Sequence, residues 1–127
     1  MKQFLIKIGI TLVAIFSPAK QVLATVLALM VVDLITGILA SRKQGIPISS
    51  AALGRTIVKS FVYLSAICLA FLVQQYLTTD AIPCMHIVAS FIGLTELLSC
   101  LENLNIIGGG DLLKKLIDNL SSKNKDL

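Results

Sequence analysis

Residues Gln21 to Ala40 read QVLATVLALMVVDLITGILA, and this stretch decides the fold. It is about 20 residues long, the length at which an apolar helix crosses a bilayer. Asp33 is its only ionisable group. A carboxylate at the centre of such a helix costs roughly 2.5–3.5 kcal/mol on insertion scales. A partner, a water-filled cavity or protonation must offset that cost.

The rest of the chain agrees with a lipid environment. Of 127 residues, 56% are hydrophobic and 14% are charged, and the mean hydropathy is +0.89. Soluble domains carry about 25% charged residues. The chain has room for three or four spans and none for a separate catalytic domain. The predicted fold is therefore an all-α integral membrane protein, with three or four transmembrane helices and a C-terminal amphipathic helix.

Outward from Gln21–Ala40, the segment SRKQGIPISS (41–50) is a loop. Gly45 and Pro47 break helix there, and Ser49 or Ser50 can cap the next one. Ala51–Leu77 makes a second span and Cys84–Asn105 a third, joined by the turn TTDAIP (78–83). Before the first span, residues 1–20 hold a short apolar helix, Phe4–Phe16, ended by Pro18. Thirteen residues rise about 20 Å, short of the roughly 30 Å hydrocarbon core. This segment therefore lies in the interface or crosses as a short span, with Lys7 reaching the headgroups. Its basic start and apolar centre also have a weak signal-peptide character.

At the other end, Gly108-Gly109-Gly110 stops helix and Asp111 can cap a last short one, Leu112–Leu120. Its apolar residues share one face, so residues 111–127 read as an amphipathic helix and a polar tail, SSKNKDL.

Eleven bases against seven acids give a formal charge of +4. Apolar runs separate the bases, so they do not form the single basic face that nucleic acid requires. They act as topology signals. Arg42 and Lys43 follow the first span, Lys114 and Lys115 follow the third, and the 78–83 turn has no base. The positive-inside rule places the 41–50 loop and the C-terminus in the cytoplasm. Three spans put the N-terminus outside. Four put it inside, which suits Lys2 and Lys7 better and is the arrangement favoured here.

Helical spacing aligns Asp33 with Thr36, Gly37 and Ala40, and Glu96 with Ser99, Cys100 and Asn103. Each acid begins a stripe of small or polar residues, the kind through which membrane helices pack closely. The two spans should therefore meet through these faces. Counting residues puts Asp33, Lys59 and Glu96 at similar depth in the cytoplasmic half, with Arg55 and Glu102 nearer the surface. Asp33–Lys59 and Arg55–Glu102 pairing would offset the burial of charge, although depth alone does not determine which acid takes which base. The group has three readings: a network that holds helices together, the lining of a pore between subunits, or an ion-coupling site.

Enzyme chemistry is excluded on several counts. His86 is the only histidine and has no triad partners around it, and no phosphate-binding glycine loop is present. Cys84 and His86 amount at most to half a metal site. Cys68 and Cys100 read as small packing residues. No cofactor pattern is evident.

In order along the chain, Asp33-Leu34-Ile35-Thr36-Gly37 with Ala40 resembles a D-x-x-T-G motif. Ser49-Ser50, Gly54 and Lys59 resemble a serine-glycine-lysine start to the next helix. Glu96, Ser99 and Glu102-Asn103 resemble E-x-x-S-x-x-E-N. A glycine break and a basic amphipathic helix follow. Together, over about residues 22–120, these are similar to the toxin-secretion/phage-lysis holins. The family often has a proline after the glycine break, where this chain has Asp111.

The resemblance implies a multi-pass protein of the bacterial cytoplasmic membrane that oligomerises and opens lesions. A cell-wall hydrolase (endolysin) or a secreted toxin then passes through. Its implied partners are the lipid bilayer and further copies of itself. A small ion- or proton-coupled transporter and a non-pore membrane adaptor remain the alternatives.

Overall fold

The computed structural model describes residues 1–125. Five helices follow one another: α1 (Lys2–Phe16), α2 (Lys20–Lys43), α3 (Ser50–Leu72), α4 (Cys84–Ile107) and α5 (Leu112–Lys125). Three helical stretches, Lys2–Lys43, Ser50–Leu77 and Cys84–Ile107, are long and apolar enough to cross a membrane. Only 17% of the most apolar window of each is buried inside the protein. The rest of that apolar surface faces away from this chain's own core, as it does where lipid or a neighbouring membrane helix covers it.

The α-helix α1 ends at Phe16, yet the chain stays helical around Pro18. Residues Ser17–Ala19 form a 3₁₀ turn that passes directly into α2. The Ser17 N–H donates to the Ala14 carbonyl and the Lys20 N–H to the Ser17 carbonyl. Pro18 sits at the start of that turn, where its missing N–H and fixed φ cost little. The helical stretch therefore runs 42 residues, about 63 Å. The chain stays helical through residue 18, and the described residues hold three helical stretches of membrane length. None of α1's residues is buried. It joins the bundle only at its end, where the Phe16 ring lies 5.9 Å from that of Phe71.

The 41–50 loop is shorter than expected because Ser41, Arg42 and Lys43 continue α2. Bases in a last helical turn complement the helix dipole. Lys43 does so for a second helix as well, donating from Nζ to the Ile107 carbonyl at 2.6 Å. This contact joins the C-terminal ends of α2 and α4, so the two run parallel, with α3 antiparallel to both. Ser49 caps α3, its Oγ accepting from the Ala52 N–H at 3.1 Å.

At the opposite end, α3 widens into a π turn, Val73–Leu77. Gln74 ties the 78–83 turn together. Its Nε2 donates to Asp80 Oδ1 at 3.2 Å, and its Oε1 accepts from the Met85 N–H at 3.0 Å.

After α4, Gly109 (φ 92°) and Gly110 (φ 91°) take left-handed conformations that side chains disfavour. The side-chain cap of α5 is not Asp111 as expected. The Leu113 N–H donates to Asn105 Oδ1 of α4 at 3.2 Å, and Asp111 contributes only its backbone carbonyl, to the Lys115 N–H. A residue one turn before the glycine break thus anchors the helix that follows it. The helix runs through the expected polar tail as far as Lys125. The tail's last two residues, Asp126 and Leu127, lie outside the described residues. Leu116, Ile117 and Leu120 are exposed along its apolar face.

The packed interior divides along the bundle axis. Towards the Gln74 end, Val26, Met30, Ile67, Phe71, Met85 and Ile92 form an apolar cluster with Ala19. Towards the Lys43 end the buried residues change character to Thr36, Ala40, Glu96 and Cys100.

Candidate functional site: a charged layer between three helices

Asp33 of α2, Lys59 of α3 and Glu96 of α4 meet at one level. Lys59 Nζ stands 3.2 Å from Asp33 Oδ2 and 3.0 Å from Glu96 Oε1. One ammonium therefore serves two carboxylates, one from each neighbouring helix. The Glu96 side chain is 1% exposed, Asp33 14% and Lys59 32%. An unpaired carboxylate as buried as Glu96 would be heavily penalised, and pairing with Lys59 offsets part of that penalty. The Lys59 ammonium also lies 6.0 Å from the centre of the Tyr63 ring, the outer limit of cation–π attraction.

Asn103 completes the layer. Its Nδ2 reaches Asp33 Oδ1 at 3.1 Å, the Asp33 carbonyl at 3.3 Å and Thr36 Oγ1 at 3.1 Å. Thr36 in turn donates from Oγ1 to the Val32 carbonyl at 2.8 Å. Among the described residues no buried side-chain nitrogen or oxygen lacks a partner. A fully satisfied network of this kind fixes helix register more firmly than apolar packing does. The two acid-bearing faces do pack on each other: Cys100 Sγ approaches the Leu29 carbonyl at 3.9 Å. Gly37 is less demanding than its motif position suggests, because a Cβ there would meet Asn103 Nδ2 at an ordinary 3.5 Å.

Below the layer is a cavity of about 650 Å³. Asp33, Gly37, Arg55, Ser99 and Asn103 line it on the helices, and residues 46–49 line it from the loop. Water at the Lys43 end can therefore approach Asp33. The apolar cluster closes the path towards the Gln74 end.

The expected Arg55–Glu102 pair is absent. The ion pairs among the described residues are those of Lys59 with Asp33 and Glu96. Arg55 lies at the cavity wall, while Glu102 is exposed on another face of α4. Residue counting placed both at the right depth but took no account of their angular positions around the two helices.

Two contributors escaped the sequence reading. Tyr63 lies one turn beyond Lys59, a spacing that helical periodicity could have flagged. Lys43 read only as a topology signal, although a base in a last turn also signals capping. Cys84 and His86 stand at the start of α4. Among the described residues no group of three or more His, Cys, Asp or Glu could hold a metal ion.

These features define a polytopic α-helical membrane protein with a charged layer inside its bundle. Residues 10–124 match the bacteriophage holin family. The match takes in nearly the whole chain, and the protein belongs to that family. It is a holin-like, multi-pass protein of the cytoplasmic membrane. No curated protein and no solved structure matches it.

Proposed function

We propose that the protein oligomerises in the cytoplasmic membrane and permeabilises it, so that an endolysin or a toxin crosses during lysis or secretion. The 44–49 loop and the C-terminus face the cytoplasm, as the positions of Arg42, Lys43, Lys114 and Lys115 favour. The observation that carries this reading is the two-part interior. Each bundle holds a charged layer that water can approach from one end, and an apolar cluster plugs the other. A single copy therefore offers no through-path, and a lesion wide enough for a folded protein must form between copies. Asp33, Thr36, Lys59, Glu96 and Asn103 hold each bundle together, and Gly37 lines the cavity beside them. Arg55, Ser99 and Glu102 belong to the water-facing or subunit-facing surface.

Induced expression in a bacterium tests the proposal. Abrupt growth arrest with collapse of membrane potential, and release of a co-expressed cell-wall hydrolase, is the expected outcome. Saturable, substrate-specific flux with the potential intact would assign a transporter instead. Harmless overproduction would assign a non-pore adaptor.

A further inference from the structure

Arg55 and Glu102 are the base of α3 and the acid of α4 that the charged layer leaves over. We infer that Arg55 of one copy pairs with Glu102 of a neighbouring copy, and that α3 of the first packs there against α4 of the second. The inference deepens the reading of the protein as an assembling chain, and rests on it.

Depth is the first argument. Arg55 lies five residues after Ser50, where α3 begins, and Glu102 lies five before Ile107, where α4 ends. At 1.5 Å per residue both sit about 7.5 Å inside their helices. The helices are antiparallel, so both positions are at the same end of the bundle.

Their surroundings agree. Both residues are exposed, and neither forms an ion pair within the described residues. From Arg55 an exposed stripe continues along α3 through Val58, Val62 and Leu69. From Glu102 one continues along α4 through Leu98, Leu94 and Phe91. Their helical spacing puts each set on one side of its helix. Lipid covers such apolar side chains well. Hydrocarbon gives the charge at the end of each stripe no partner; water or headgroups can solvate it there, but a second copy can pair it directly, because the two charges are opposite.

An α3 face meeting an α4 face is a contact between two different surfaces. Such contacts propagate from copy to copy, into rings or open arrays.

Charge reversal tests the pair. Full-length R55E and E102R are expressed separately, together, and as the double variant R55E/E102R, and membranes are treated with a chemical crosslinker. Each single reversal should lower the crosslinked fraction about three- to tenfold. The double variant should restore it. The mixture of the two single variants should restore it too, because unlike charges then face each other at every contact. An undiminished ladder in both single variants overturns the pair. Rescue by the double variant without rescue by the mixture also overturns it, since that marks a bond within one chain. If a reversal prevents insertion, R55Q and E102Q replace it, with the same fall expected and the same undiminished ladder counting against the contact. Permeabilisation is scored in parallel. An intact ladder without growth arrest in the unmodified chain sinks the proposed function and leaves the contact standing.

Discussion

Asn103 Nδ2 lies 3.1 Å from Asp33 Oδ1, and the two residues stand on parallel helices. The same nitrogen reaches Thr36 of the next turn of α2. One amide thus holds the register of α2 against α4, while Lys59 brings α3 into the same layer from the other side.

Lys59 should be the most sensitive position of the layer. K59M leaves two carboxylates facing each other, one of them almost wholly buried. Breaking a buried pair typically costs about 3–5 kcal/mol, and the partial exposure of Lys59 lowers that figure here. The expected result is a clear fall in the thermal midpoint of the purified protein, partly recovered in the triple variant D33N/K59M/E96Q. An unchanged midpoint in K59M would show that the charges are not coupled.

Asn103 should matter less, and in a charge-dependent way. N103A removes hydrogen bonds worth about 1–2 kcal/mol in total by membrane-protein measurements. N103D is nearly isosteric but places a carboxylate against that of Asp33, and should destabilise more than N103A. Thermal unfolding in one detergent compares the two. The reverse order would count against the Asp33 contact.

The glycine break separates two kinds of glycine. G109A and G110A force a side chain into φ near 90° and should each cost about 1 kcal/mol or more. G37A meets only an ordinary contact with Asn103 and should be close to neutral. Protease susceptibility at Lys114 and Lys115 reports loosening of α5. Equal susceptibility in all three variants would contradict the role of the left-handed turn.

The continuous helix through Pro18 makes a topological prediction. In a cysteine-free background, a cysteine replacing Gln3 should react with a membrane-impermeant maleimide on intact cells. One replacing Ser121 should react only after lysis. Protection at both positions would restore a fourth crossing.

Q74A removes the bridge between Asp80 and the start of α4. The turn then keeps only its backbone bonds, such as that from the Asp80 N–H to the carbonyl of residue 74, and those of the Thr78 hydroxyl. A loss of about 1–2 kcal/mol is expected, read as earlier unfolding with no change in membrane insertion. No change in unfolding would mean that Gln74 is dispensable.

Much of the architecture was legible in the chain, because lipid imposes a simple rule. A run such as Gln21–Ala40 must be helical, since nothing in hydrocarbon can satisfy its backbone otherwise. The stripes at Asp33 and Glu96 were legible too, through helical spacing. Angular position was less so. Arg55 and Glu102 matched in depth and sign, yet depth does not say which way a side chain points around its helix. Pro18 marks where α1 ends but not the direction the chain takes there, because proline opposes the interior of a helix yet suits the first turn of the next segment.

Sequence alone determined the solvent this protein lives in, its helices and the depth of its charges, because hydrophobic length and residue spacing are one-dimensional quantities. Only the tertiary structure decided that one lysine serves two acids, that Asn103 pins α2 to α4, and that Arg55 and Glu102 do not pair within a copy. Those outcomes depend on how three helices rotate about their own axes as they pack, and many distant contacts set that rotation jointly.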